Sequence, residues 1–226
     1  MIDYRKLRLN NLNTPEFSHL LLLLYWPLYG AAFFLLETLR PLADCTPVWS
    51  PLDDRIPFNE WFMLPYLFWF VFLIGVLVYL GLNDAKAFRR FMQFVMITYS
   101  VTIVVYLLHP TCQNLRPVSF PRDNLLTRWV AAFYAFDSNT NVCPSIHVIG
   151  SMAAAFGAMD TPRFKAAAWK TAFALMALLI SFSTVFVKQH SIVDVFWGFV
   201  VSGCGYLIVY GAPKWAKQLQ PNPQRA

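Results

Sequence analysis

The sequence predicts an all-α integral membrane protein. It is read as a six-transmembrane-helix bundle, one domain over residues 1–226, with both termini cytoplasmic. Three observations carry that expectation. The chain is 58% hydrophobic and only 13% charged, well below the ~25% charge usual in soluble domains. Its apolar residues fall in runs of ~16–25, enough to cross a ~30 Å hydrocarbon core with some tilt or extension. Lys and Arg recur between those runs, with more of them on one side than the other. The net charge of +6 raises nucleic acid as a partner, but the basic residues form no single patch. No nucleic acid is expected, and membrane lipids are.

The elements follow in order. Residues 1–18 are polar and basic, with Arg5, Lys6 and Arg8. Span one runs from about His19 to Leu36. The basic start leads into it without a small-residue cleavage site, so it is expected to remain as an anchor. A polar loop carries Arg40, Asp44, Asp53, Asp54, Arg55 and Glu60 among prolines. Span two is Trp61 to Leu82, and span three is Phe91 to Leu108 after a basic turn with Lys86, Arg89 and Arg90. His109 to Cys143 reads as the longest loop, rich in Pro, Asn and Asp and carrying Arg116, Arg122 and Arg128. Span four starts near Pro144 and ends at Met159. Asp160-Thr161-Pro162 then reads as a helix stop and a new N-terminus, with Pro in the first turn. Span five ends near Val187, span six covers His190 to Tyr210, and a polar tail holds Lys214, Lys217 and Arg225.

Six crossings put both termini on one side. That side receives the N-terminus, the 83–90 turn, the 160–170 turn with Arg163, Lys165 and Lys170, and the tail. The other receives Arg40, Arg55, Arg116, Arg122, Arg128 and Lys188, half as many cations. The first side is therefore expected to be cytoplasmic. Spans four and six are rich in Gly, Ala and Ser, which lets helices approach closely in lipid. Trp61, Trp69, Trp129, Trp169 and Trp215 mostly fall near span ends, as interface anchors do.

Three polar motifs fall on the non-cytoplasmic side. Ser183 to Asp194 contains His190 and Asp194, four residues apart, which would share one face of a helix. An aspartate that orients an imidazole makes it a better nucleophile or base. Pro144-Ser145-Ile146-His147 opens span four, and Arg116-Pro117 lies in the long loop. Ionisable groups at a membrane boundary are costly, so this grouping points to a site. Two histidines, one backed by a carboxylate, supply a nucleophile and a general acid. Arg116 is a forked cation suited to phosphate oxygens. Ser145 and the free amides at the start of span four form an anion cradle. Together they describe phosphoryl transfer through a phosphohistidine. No Cys/His cluster has zinc spacing and no carboxylate group suits magnesium, so no cofactor is expected; a metal on His147 and His190 is the alternative.

At these residues the chain resembles the type 2 phosphatidic acid phosphatase superfamily. That pattern is Lys-x6-Arg-Pro, Pro-Ser-Gly-His and Ser-Arg-x5-His-x3-Asp. Here the motifs read His109-x6-Arg116-Pro117, Pro144-Ser145-Ile146-His147 and Ser183-Thr184-x5-His190-x3-Asp194. The resemblance covers roughly residues 60–210, taken as a phosphatase-like catalytic core. It implies that His190 is the nucleophile, Asp194 orients it, and His147 protonates the leaving oxygen. Arg116 and Ser145 would hold the phosphate. His109 and Thr184 replace a lysine and an arginine of the pattern; Lys188 would supply one charge from a new direction, and His109 another when protonated. The Lys-Gln-His-x3-Asp and Pro-Ser-Ile-His forms look more like the branch with inositol phosphorylceramide synthases and bacterial lipid phosphatases. A cradle with fewer cations suits a phosphodiester better than a monoester.

The expected protein is therefore a metal-independent lipid phosphatase or phosphotransferase in the plasma (inner) membrane, facing outward. Its partner is a lipid phosphate. The rivals are a non-catalytic lipid-phosphate-binding membrane protein with a degenerate site, favoured by the missing cations, and a transporter. A transporter predicts charged or broken mid-membrane helices, and no span carries a central charge. Cys45, Cys112 and Cys143 also fall on the outer side. A Cys112–Cys143 bridge would tie Arg116 near His147; free thiols are the alternative. Arg122, Asp123 and Arg128 read as a solvated loop, and Cys204 as packing.

Overall fold

A computed structural model describes residues 2–39 and 45–211. Arg40, Asp44, Lys214, Trp215, Lys217 and Arg225 lie outside the described residues. The first apolar run opens as a 3-10 turn, Ser18–Leu24, and continues as α1, Tyr25–Leu39. A two-residue strand β1, Thr46–Pro47, and a single-turn helix α2, Pro51–Arg55, follow. Then come α3, Met63–Asn83, and α4, Ala85–Leu108. Strand β2, Thr111–Cys112, pairs in parallel with β1. The described residues finish with α5, Leu125–Phe136, α6, Ile146–Asp160, α7, Ala167–Phe186, and α8, Ile192–Tyr206, with a π-helical turn to Gly211.

Among the described residues, five segments are long and apolar enough to cross a membrane: Ser18–Leu39, Glu60–Asn83, Ala85–Leu108, Ala167–Phe186 and Ile192–Gly211. The expected fourth span is helix α6, a shorter apolar helix of 15 residues, ~22 Å at 1.5 Å per residue against a ~30 Å core. It is the buried axis, packed against α3, α4, α7 and α8, with Val148, Ile149, Ala153, Ala154 and Ala158 at zero exposure. Its small residues explain this. A Cβ on Gly157 would stand 2.8 Å from Phe91 Cδ2, and one on Gly198 of α8 would stand 2.8 Å from Val148 Cβ. Both crossings need the missing atom. The stop at Asp160-Thr161-Pro162 is where it was expected: α6 ends at Asp160 and Pro162 opens a 3-10 turn.

Two expectations about the elements are corrected. Span three begins six residues early, because the Asp84 side chain accepts from Ala87 N at 3.0 Å and caps the helix. The basic turn is thus the first two turns of α4. The long loop is not all loop. Asn124 accepts from Thr127 N at 3.0 Å, Thr127 Oγ1 accepts from Asn124 N at 2.9 Å, and this capping box starts α5.

The disulfide is also corrected. Cys112 bonds Cys45, with 5.6 Å between Cα atoms, and Cys143 is a free thiol. Pairing of β1 with β2 sets Cys112 opposite Pro47 and so within reach of Cys45, whereas Cys143 N donates to Thr111 Oγ1. Burial pushes the Cys143 thiol up to about 12, with Asp194 nearby adding to the shift. These contacts gather the 45–60, 109–145 and 187–192 segments at one end of the bundle. At the other end Arg89 donates to Ser18, and Arg90 pairs with Asp160.

Candidate active site

The centre is a chain of three side chains. His147 Nδ1 lies 3.3 Å from His190 Nε2, and His190 Nδ1 lies 3.2 Å from Asp194 Oδ2. All three are buried: His147 7%, His190 6% and Asp194 0% exposed. With Asp194 ionised, His190 Nδ1–H donates to it. The lone pair on His190 Nε2 then accepts from His147 Nδ1–H. A base or nucleophile and a proton donor thus face each other.

Local sequence makes this arrangement. Ser191 caps α8, its Oγ accepting from Val193 N at 3.1 Å, and Asp194 returns the bond by accepting from Ser191 N at 2.9 Å. The carboxylate that orients His190 therefore also completes a capping box. His190 itself precedes the helix. The expected shared helical face is replaced by a turn in which Lys188 takes φ 55°, and both Gln189 N and His190 N donate to Thr184 O. A left-handed residue other than glycine costs ~1–2 kcal/mol, so this turn is held from outside. His147 is the second residue of α6, behind Ser145, which caps it with a 3.5 Å bond from Val148 N. Ser145 N donates to Asp194 O at 3.1 Å, which locks the two helix starts together. The His147 ring lies against Tyr66 and Trp69 of α3, with centroids 4.6 and 4.7 Å away.

The other expected residues are placed differently. Arg116 sits beside Gln189, one residue from His190, and is well occupied. Its Nε and Nη2 donate to Gln189 Oε1 at 3.0 and 2.7 Å, and its Nη groups donate to the carbonyls of Tyr134, Asp137 and Ser138. It also stacks over the Tyr134 ring at 4.6 Å. Burial lowers its pKa from the ordinary value, while Asp137 works against the shift. Lys188 turns away: Nζ donates to Asp53 O at 2.8 Å and Ile56 O at 2.5 Å. Burial lowers its pKa too, opposed by Asp53 and Asp54. His109 caps the C-terminus of α4 and is exposed, unlike the buried His147 and His190. Ser145 is fully buried and its Oγ faces the helix it caps.

Sequence reasoning missed several supports. Asp53, fully buried, accepts from Ser191 Oγ at 2.6 Å, Ile192 N at 2.8 Å and Ser50 N at 2.8 Å. Gln113 Nε2 donates to Lys188 O at 3.1 Å and holds the strained residue. Gln189 Nε2 donates to Asp137 Oδ2 at 3.1 Å. Burial raises the Asp137 carboxyl, with His190 and Arg116 drawing it back. The Ser50-x-x-Asp53 capping box was a legible signal for the first of these; nothing local marked the others.

A family model described as the PAP2 superfamily matches residues 90–218, more than half of the chain. The chain belongs to the PAP2 superfamily. Comparison with curated proteins and with solved structures found no match. PAP2 membership indicates phosphatase-type chemistry on phosphoric esters, and the apolar helices fit a membrane protein. The matched stretch holds both histidines, Asp194 and Arg116. Asp53, Tyr66 and Trp69 lie before it, so the segment that braces the His190 turn and packs on His147 comes from outside the family match.

Proposed function

We propose that this PAP2 protein is a membrane-embedded lipid phosphatase or phosphotransferase that works through a phosphohistidine on His190 at the extracytoplasmic face. The observation that carries the reading is the buried His147–His190–Asp194 chain. In the first half-reaction His190 Nε2 attacks phosphorus, the P–O ester bond breaks, and His147 gives its proton to the leaving oxygen. In the second, water or an alcohol attacks the phosphohistidine, His147 takes its proton, and the P–N bond breaks. Asp194 holds the charged imidazole throughout. Arg116 keeps its loop carbonyls and exchanges Gln189 for a phosphate oxygen. No metal is required in this scheme.

An apolar groove of about 560 Å³ between α4 and α8 supports a lipid ester. Val101, Val201 and Ile208 line it, and His109, Cys143 and Pro144 close the end beside Ser145. In this reading a hydrocarbon chain of the ester lies in this groove, which ends at Cys143 and Pro144, just before the helix start that bears His147. We count α6 as the sixth crossing, with both termini cytoplasmic. The scarcity of free cations near His190 favours a diester head group, in keeping with the branch named above.

The test is phosphate or head-group release by purified protein in detergent. Monoesters, diphosphates and diesters are compared with chelator present and His190→Ala as control. Activity that survives chelator and vanishes in the variant supports the reading. Equal inertness, with or without an acceptor alcohol, puts a non-catalytic lipid-phosphate-binding protein in its place.

A further inference from the structure

Helix α5 carries apolar side chains on two faces. Val130 and Thr127 point inward and are buried. Leu125, Trp129, Ala132 and Phe136, spaced 4, 3 and 4 residues apart, form an outer stripe. Leu125, Trp129 and Phe136 are 63%, 41% and 88% exposed. That stripe runs onto the first turns of α3: Met63 and Leu67 join Trp129, Ala132, Phe133 and Phe136 around one hollow of about 400 Å³. Helix α3 is a membrane-crossing candidate, and Leu64 and Phe68 beside the hollow are exposed on it. Trp61, at the start of the same span, is 61% exposed and marks the level of an interfacial aromatic. The outer stripe of α5 thus continues the lipid-facing surface of α3 at its end.

Both ends of α5 are tied to the protein. Buried Glu60 accepts from Arg122 Nε at 3.0 Å and Asn124 Nδ2 at 3.0 Å at the front. At the back, Tyr134 O and Asp137 O accept from Arg116. We propose that α5 is an in-plane helix seated in the acyl-chain and head-group boundary of the bilayer, and that this seating holds Arg116 and Gln189 against the His190 turn. The second clause rests on the proposed function; the first does not. A 12-residue helix, ~18 Å long, lying flat with one apolar stripe is the form that interfacial helices take.

The test uses the full chain in phosphatidylcholine vesicles whose chains are brominated near the head group. Tryptophan quenching is compared between wild type and Trp129→Phe. A quenchable component that disappears in the variant is expected. An unchanged quenched fraction overturns the seating. Quenching that appears only on dilution into excess lipid also overturns it, since a second copy then covers the stripe. Leu125→Asp with Phe136→Asp tests the coupling. In protein that still unfolds cooperatively on heating, turnover of a vesicle-borne ester and of a soluble short-chain ester should both fall roughly tenfold or more, because both need Arg116 and Gln189 beside His190. Loss confined to the vesicle-borne ester, or turnover of both within about twofold of wild type, overturns the coupling. A wild type inert on both substrates fails the proposed function, and the quenching result still decides the seating.

Discussion

Replacing Asp53 by Ala removes one carboxylate from a site in which it has no chemical part. Its two oxygens accept three bonds, from Ser191 Oγ, Ile192 N and Ser50 N. The residue has no exposure, so water does not replace the lost acceptor. Each stranded buried donor costs ~1–3 kcal/mol. A negative charge at the start of α8 contributes ~0.3–1 kcal/mol more. The sum is at least ~3 kcal/mol, or a melting drop of ~6–12 °C for a chain of this size at ~2–4 °C per kcal/mol. Two of the three bonds hold Ser191 and Ile192, adjacent to His190. Activity should therefore fall further than stability explains at a temperature where the variant is still folded. Asp53→Asn keeps the shape but turns a donor toward donors, and should recover only part of the loss. Thermal unfolding in detergent and initial rates on one ester decide it. A melting change under ~2 °C with normal rates would refute the bracing argument.

Gly198→Ala should lower both stability, by ~1–3 kcal/mol, and ester turnover, because its Cβ would meet Val148 Cβ at 2.8 Å and Ser145 O at 3.1 Å. Gly203→Ala, with nothing within 4 Å, is the control that should leave both near wild type. Serine at Cys45 and Cys112 should destabilise by up to ~4 kcal/mol, the chain-entropy value for a separation of 67 residues, read as the unfolding shift with and without reductant. The Cys143 thiol, pushed up to about 12 by burial, holds ~1 thiolate in 10,000 at pH 8. Its alkylation should be slow in the folded protein, quicken as pH rises toward that value, and become fast on unfolding, as mass spectrometry would report. Lys188→Met should cost stability by freeing the carbonyls of Asp53 and Ile56, and at permissive temperature should lower kcat more than it raises KM.

Much of the site was legible in single letters. The spacing of His190 and Asp194 named the pair that touches, although the pair meets through a capping turn and not along a helical face. Pro-Ser-Ile-His named the partner of that pair correctly, 43 residues away. Arg116 and Lys188 were singled out as cations, but their bonds could not be read. The acceptors for Arg116 lie 18 to 22 residues ahead and 73 residues ahead on Gln189, and those for Lys188 lie more than 130 residues back. Helix α5 was hidden by the proline- and asparagine-rich text around it.

The sequence by itself determined that this is a helical membrane protein, where most of its helices begin and end, which motifs meet at one end of the bundle and to which superfamily the chain belongs. Hydrophobic runs, caps and motif spacing are local properties of the chain, and local properties are written in order. Only the tertiary structure decided that Cys45 takes Cys112, that α6 is a buried axis, that Lys188 anchors α2, and that Asp53 braces the turn bearing His190 from 138 residues before its partner Ser191. Those outcomes depend on which loops meet at one end of the bundle. A buried donor takes whatever acceptor the packing leaves within 3 Å or so, and distance along the chain does not record it.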